Sequence, residues 1–111
     1  MPAKTFLIQG EGLGRGDDKL GQVIMGNFLR LLGESRDKPE SLIFWNHGVR
    51  LVCEGSAVLE HLRRLEEQGV EILACTTCLE YLDLRDKLIV GKPTTMAKSV
   101  QAVLSADVVS L

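Results

Sequence analysis

Cys75 and Cys78 stand three residues apart in the stretch ILACTTCLEYLDL, and they are two of only three cysteines in the chain. A pair with this spacing supports three chemistries. A structural zinc ion takes about four ligands. Only Cys53 and His47 are available to complete that set, and their spacing matches no common zinc pattern. A thioredoxin-like redox site uses the same C-x-x-C motif, but there it follows an early strand. A sulfur carrier uses one thiolate to accept sulfane sulfur as a persulfide and pass it to another thiol, by chemistry related to thiol–disulfide exchange. The neighbouring cysteine, or Cys53, then assists release by forming a disulfide. Against all three stands the inert alternative, because free cysteine is often buried as a small hydrophobe.

The elements around these residues set what they can do. Thr5–Ile8, Ser41–Trp45, Val70–Ala74, Leu88–Val90 and Asp107–Leu111 read as strands: short apolar runs rich in branched or aromatic residues and bounded by turn residues. Asp17 to Gly33 carries Leu20, Val23, Ile24, Phe28, Leu31 and Leu32 at helical spacing, with Met25 and Leu29 widening the stripe. Such a helix is expected to be largely covered, capped by Asp17 or Asp18. Ser56 to Gln68 is a second helix, with Val58, Leu59, Leu62 and Leu65 inward and a Glu60–Arg64 pair on the wet side. Leu79 to Lys87 reads as a short or irregular helix. Thr95 to Leu104 reads as another, with Met96, Val100, Val103 and Leu104 inward. Val49 to Val52 fits either an extra strand or a loop.

Strands alternating with helices predict one α/β domain over 1–111, a three-layer α/β/α sandwich around a mostly parallel five-stranded sheet. In such a sheet the carboxyl ends of the strands share one rim, and sites form there. The rim is expected to carry Gly10 to Gly16, Asn46-His47-Gly48, Cys75 to Cys78 and Gly91-Lys92-Pro93. Cys78 falls in the first turn of a helix capped by Thr76 or Thr77, where unpaired N–H groups lower a thiol pKa. His47 is placed to act as a base or to orient a thiolate, unless it is merely solvated. Arg15 and Lys92 offer positive charge to an anionic sulfur species. The glycine loop GEGLGRGDD completes neither G-x-G-x-x-G nor a P-loop, and Asp17 and Asp18 would repel a phosphate. It reads as a tight loop that lets backbones approach. Trp45 belongs in the core, where its N–H needs a partner.

Composition narrows the class. The chain has 111 residues, 45% of them hydrophobic and 25% charged, with a formal charge of −2. That balance speaks against a nucleic-acid surface, and no apolar run reaches the ~20 residues of a membrane span. Met1-Pro2-Ala3-Lys4 has no secretory h-region, and an odd cysteine count suits a reducing compartment. The expected location is the cytoplasm.

The segments GEGLGRGDDKLG, CEGS, GVEILACTTCLEYLDLRDKLIVG and ADVVSL resemble the DsrE/DsrF-like family, and within it the C-terminal domain of YedF-type selenium-metabolism proteins. The resemblance covers Lys4 to Leu111. It implies the α/β/α domain already read, and sulfur-relay chemistry with persulfide carried on a cysteine after a central strand, here Cys75 or Cys78. It implies a homo-oligomer with that cysteine near a subunit boundary. YedF-type chains begin with a TusA-like domain bearing a Cys-Pro motif, and this sequence starts at the DsrE-like part. A partner, TusA-like or other, must then supply or accept the sulfur.

The leading expectation is therefore a persulfide carrier with Cys75 and Cys78 as reacting residues, Cys53, His47, Arg15 and Lys92 as accessories, and no organic cofactor or metal. Its rivals are a non-catalytic assembly or regulatory subunit that binds a partner through the rim, and a metal site built from Cys53, Cys75, Cys78 and His47. Val49 to Val52 and Leu79 to Leu84, apolar with no obvious place in a small sheet, are the expected subunit interface.

Overall fold

Five short strands form one sheet in the computed structural model of the chain, which describes residues 3–111. Met1 and Pro2, part of the segment read as lacking a secretion signal, lie outside the described residues. The strands are β1 (Lys4–Ile8), β2 (Ser41–Phe44), β3 (Glu71–Cys75), β4 (Lys92–Thr94) and β5 (Asp107–Ser110). All neighbours run parallel, in the order β4-β3-β2-β1-β5. The helices are α1 (Asp18–Glu34), α2 (Leu59–Glu67), α3 (Thr76–Tyr81) and α4 (Met96–Ser105), with a 3-10 helix over Asn46–Val52 and a 3-10 turn over Arg85–Lys87. None of the described helices is long and apolar enough to cross a membrane.

The strand order fixes the layers. From β1 to β4 each connection steps the same way across the sheet, and β4 to β5 returns past three strands. Right-handed crossovers then put α1, α2 and α3 on one face and α4 on the other. Packing agrees. Ile8, Leu42, Phe44, Ile72 and Ala74 of the strands join Met25, Leu29, Leu62, Leu65 and Leu79 of those three helices in one buried core that includes no α4 residue. The alternate strand residues Thr5, Leu7, Ser41, Ile43 and Cys75 are buried on the opposite face, as is Ser99 of α4. A hydrogen bond of 2.9 Å joins the Thr5 and Ser41 hydroxyls there.

Several expectations need correction. The fourth strand is Lys92–Thr94, not Leu88–Val90. Leu88 makes an antiparallel bridge to Cys53, and the N–H groups of Ile89 and Val90 both donate to the Val52 carbonyl. That apolar run is bound to the end of the 3-10 helix and is not free to join the sheet. On α1 the buried residues are Gly21, Met25, Leu29 and Gly33, whereas Leu20, Val23, Ile24 and Leu31 are exposed. On α4, Met96, Val100 and Leu104 are exposed, Val103 is half-buried and Ser99 is buried. Helical spacing found these stripes but not their direction. Conversely, Val49, Leu51, Val52 and Leu79 are buried within the chain, so the segments expected at a subunit interface mostly pack its own core. Glu60 and Arg64 form no ion pair among the described residues, and Arg64 lies against Gly33 of α1.

The glycine loop is tight, as read. A Cβ on Gly12 would stand 2.8 Å from the Gly21 carbonyl carbon, so the loop is laid directly on the first turn of α1. The Leu13 N–H donates to the Gly21 carbonyl at 3.0 Å, and Asp17 caps the helix by accepting the Leu20 N–H at 2.9 Å.

Candidate functional site

The site begins where β2 ends. After Phe44 the chain stays in register for one more residue, Trp45, whose N–H donates to the Ile8 carbonyl. It then turns sharply. Asn46 takes the left-handed conformation, φ 53°, which asparagine tolerates better than most residues because its short side chain bonds locally. Here the Asn46 Oδ1 accepts the His47 N–H at 2.8 Å. The turn is held from below by Gly48. A Cβ at that position would fall onto the Ile8 carbonyl oxygen. Only glycine lets the 3-10 helix sit this close to β1.

That turn aims the Asn46 N–H at Cys78, with 3.1 Å between nitrogen and Sγ. Cys78 comes from α3, which starts directly after β3 with Cys75 in the cap position and no side chain capping it. The expected threonine cap is absent: Thr76 and Thr77 are already inside the helix. Cys78 is partly exposed and, with Asn46, His47, Thr77, Tyr81 and Leu82, lines a cavity of about 220 Å³. Tyr81 is 89% exposed at this site. A second cavity, about 350 Å³, shares Asn46 and His47 and extends along the glycine loop past Glu11, Asp17 and Asp18.

The electrostatics correct another expectation. The Cys78 thiol is pushed above its ordinary value, first by burial. The Asn46 N–H works against this, and contact with the Cys75 thiol adds to it. The depressed pKa expected from a helix N-terminus does not arise, because desolvation by burial outweighs the one donor, the Asn46 N–H. The arrangement holds a thiol that is mostly protonated at neutral pH, with one oriented donor ready for a charge that develops on sulfur.

The structure brings together part of the predicted set. Cys75 and Cys78 interact, although Cys75 is fully buried. His47 joins Cys78, though not Cys75, at the cavity wall. Cys53 does not: it is buried beside its bridge to Leu88, and burial, partly opposed by the Arg50 charge, raises its pKa. Arg15 lines a separate cavity with Ser110 and Leu111, on the β5 side of the glycine loop. Lys92 lies in β4 opposite Leu73, away from the carboxyl rim, with its Nζ 3.9 Å from Glu71. Among the described residues no three His, Cys, Asp or Glu side chains are grouped to hold a metal ion, so the four-ligand site from Cys53, Cys75, Cys78 and His47 is not assembled. The Trp45 Nε1 is buried without a hydrogen-bond partner. Sequence reasoning passed over the Asn46 backbone donor, Tyr81 and Leu82. An asparagine directly after a strand and before His-Gly was the available signal for the first.

No family model matches the chain, and no curated protein matches its sequence. Solved structures do resemble it in fold. The ychN protein from E. coli is similar with a TM-score of 0.76 at 20% identity, over the whole of both chains. MTH1491 from Methanobacterium thermoautotrophicum, a protein of unknown function, gives 0.72 at 16%, again over the whole of both. BT1422 from Bacteroides thetaiotaomicron, also of unknown function, gives 0.64 at 14%, covering 97% of this chain and 94% of that one. At these identities the likeness carries the fold alone. The parallel five-stranded α/β architecture read from the sequence is the one these proteins share.

Proposed function

We propose that the protein is a sulfur-relay carrier of the DsrE/DsrF-like type and that Cys78 bears the persulfide. The observation that carries this reading is the Asn46 N–H aimed at a thiol that opens into a cavity. Loading needs no outside oxidant. The Cys78 thiolate attacks the outer sulfur of a donor persulfide, a new S–S bond forms, and the donor leaves as a thiolate that takes up the proton. The Asn46 N–H stabilises negative charge on Cys78 Sγ before the attack and again when the sulfur departs. Cys75, buried but in contact with Cys78, is a second thiol able to displace the sulfur as sulfide and leave a disulfide that an external thiol must reduce. His47 at the cavity wall is the candidate to move the proton. The sulfur comes from and goes to partner proteins, a TusA-like one among them, in the cytoplasm, and a role in selenium metabolism belongs to the same proposal.

The test is an intact mass after incubation with a persulfide donor, followed by peptide mapping. One added sulfur on Cys78 is expected, lost in Cys78→Ser and retained in Cys75→Ser. Loading that survives Cys78→Ser would end this assignment. The raised pKa of both Cys78 and Cys53 favours a second reading, in which the thiols are inert and the rim binds a partner protein. Reduced protein that takes up no sulfur would favour it.

The exposed stripes on α1 (Leu20, Val23, Ile24, Leu31) and α4 (Met96, Val100, Leu104) are the proposed contacts of a homo-oligomer, in place of the segments first expected. Light scattering at micromolar concentration should give more than one chain mass. A monomer would remove the oligomer from the proposal.

A further inference from the structure

A single turn of backbone sets the spacing of the two cysteines of the C-x-x-C motif. Cys75 is the cap residue of α3, and the two residues between it and Cys78, Thr76 and Thr77, are both helical. Two helical residues hold the Cα atoms on either side of them about 5 Å apart, from the rise and radius of the helix. A disulfide spans Cα separations of about 4.4–6.8 Å. The backbone therefore already holds the pair within bonding range, and the thiols are in contact across it. Their access differs. Cys75 ends β3 and is fully buried. Cys78 is partly exposed on the cavity of about 220 Å³, and its Sγ is met there by the Asn46 N–H. The side chains lining that cavity include no carboxylate, lysine or arginine, so nothing in its wall repels a small uncharged reagent. Cys53 lines a different cavity and is fixed in its bridge to Leu88. An open thiol in contact with a buried one is the arrangement that a two-step exchange uses: the outer thiol meets the reagent and the inner thiol completes the bond.

We propose that Cys75 and Cys78 form a redox couple that small disulfides oxidise, and that the oxidised chain no longer loads sulfur. The second half rests on the carrier reading of Cys78; the first does not. The route starts from the unloaded pair. The Cys78 thiolate, under the Asn46 N–H, attacks one sulfur of the small disulfide. A mixed disulfide forms, the original S–S bond breaks, and the departing thiolate takes up the proton that Cys78 gave. Cys75 then gives up its proton and attacks Cys78 Sγ. The second small thiol is displaced and leaves with that proton. Two protein thiols are oxidised and one small disulfide is reduced to two thiols, so two electrons pass and no other oxidant is required. An external thiol attacking Cys78 Sγ, the open end of the bond, reverses the sequence. The motif thereby couples sulfur loading to the thiol–disulfide balance around the protein.

The test incubates the reduced full chain with bis(2-hydroxyethyl) disulfide, alkylates the remaining thiols with iodoacetamide after an acid quench and denaturation, and maps the peptides. The expected product has lost two hydrogens, carries a Cys75–Cys78 bond within one peptide and is alkylated at Cys53. It should exceed the mixed disulfide at Cys78 by about tenfold or more, because the second thiol is held at high effective concentration. Cys75→Ser should stop at the mixed disulfide, and Cys78→Ser should take up none of the reagent. A wild-type chain that rests as the mixed disulfide, or that bonds through Cys53 or to a second copy, would overturn the couple. That measurement is made on the wild type, so it decides even if a variant folds poorly. Persulfide loading is then compared by intact mass in reduced and oxidised samples. A rate at least about tenfold lower in the oxidised chain is expected, and equal rates would overturn the switch. A reduced chain that loads no sulfur would strike the carrier reading and with it the switch, while the couple still stands or falls on the mapping.

Discussion

Cys53 and Cys78 make a useful pair. Both are free thiols raised above the ordinary value by burial. What opposes the rise differs. At Cys53 it is the charge of Arg50. At Cys78 it is a backbone N–H held at 3.1 Å by a left-handed turn. Access differs as well: both line a cavity, but Cys53 is 1% exposed and fixed in a backbone bridge, whereas Cys78 is partly exposed. Desolvation alone therefore does not mark a reacting cysteine. An aimed donor together with a route in does, and Cys53 lacks the first.

The comparison can be broken most severely at Gly48. In Gly48→Ala the new methyl group meets the Ile8 carbonyl, so the 3-10 helix must move and the Asn46 N–H with it. A loss of about 3 kcal/mol is expected in urea denaturation. Whatever folded protein remains should react at Cys78 much as Cys53 does. A variant of wild-type stability would show that the turn is not under this constraint. A milder test labels the native chain briefly with iodoacetamide. Cys78 should react at least about tenfold faster than Cys53 and Cys75, which must wait for local opening. Equal labelling would dissolve the distinction.

The smallest effect is on stability against pH. Folding raises both thiols, so the folded chain holds these protons to higher pH than the unfolded chain does. Their stabilising contribution is complete below the ordinary thiol value of 9.0 and is lost as pH rises through the raised values. The urea midpoint should fall on the alkaline side, and less so in a Cys53→Ser, Cys78→Ser chain compared with its own neutral value. An alkaline loss of the same size in both would show that other groups carry it.

The sheet was legible because four of its strands are apolar runs cut off by turn residues. β4 was not, because Lys92-Pro93-Thr94 looks less like a strand than the Leu88-Ile89-Val90 just before it. A proline is admissible on an edge strand, and the competing run was already claimed by Val52 and Cys53. Lys92 was misplaced with it. The cysteine pair was legible from its motif and from the rim rule. The donor to Cys78 was not: an asparagine after a strand and before His-Gly signals a left-handed turn, but not that its backbone N–H meets a sulfur 32 residues away in sequence. The direction of the apolar stripes on α1 and α4 was hidden for a related reason. Periodicity gives the phase of a helix but not which neighbour lies on which side.

The two edges of the sheet are also unlike. β4 ends it with three residues and an imide nitrogen at their centre, whereas β5 ends it with four residues and no proline. Proline has no N–H to give a further strand, so one side is a terminus for polymerisation and the other is at most a point of self-pairing. A folded molecule with one usable edge can pair once through it, as a closed couple, but cannot extend a sheet from copy to copy.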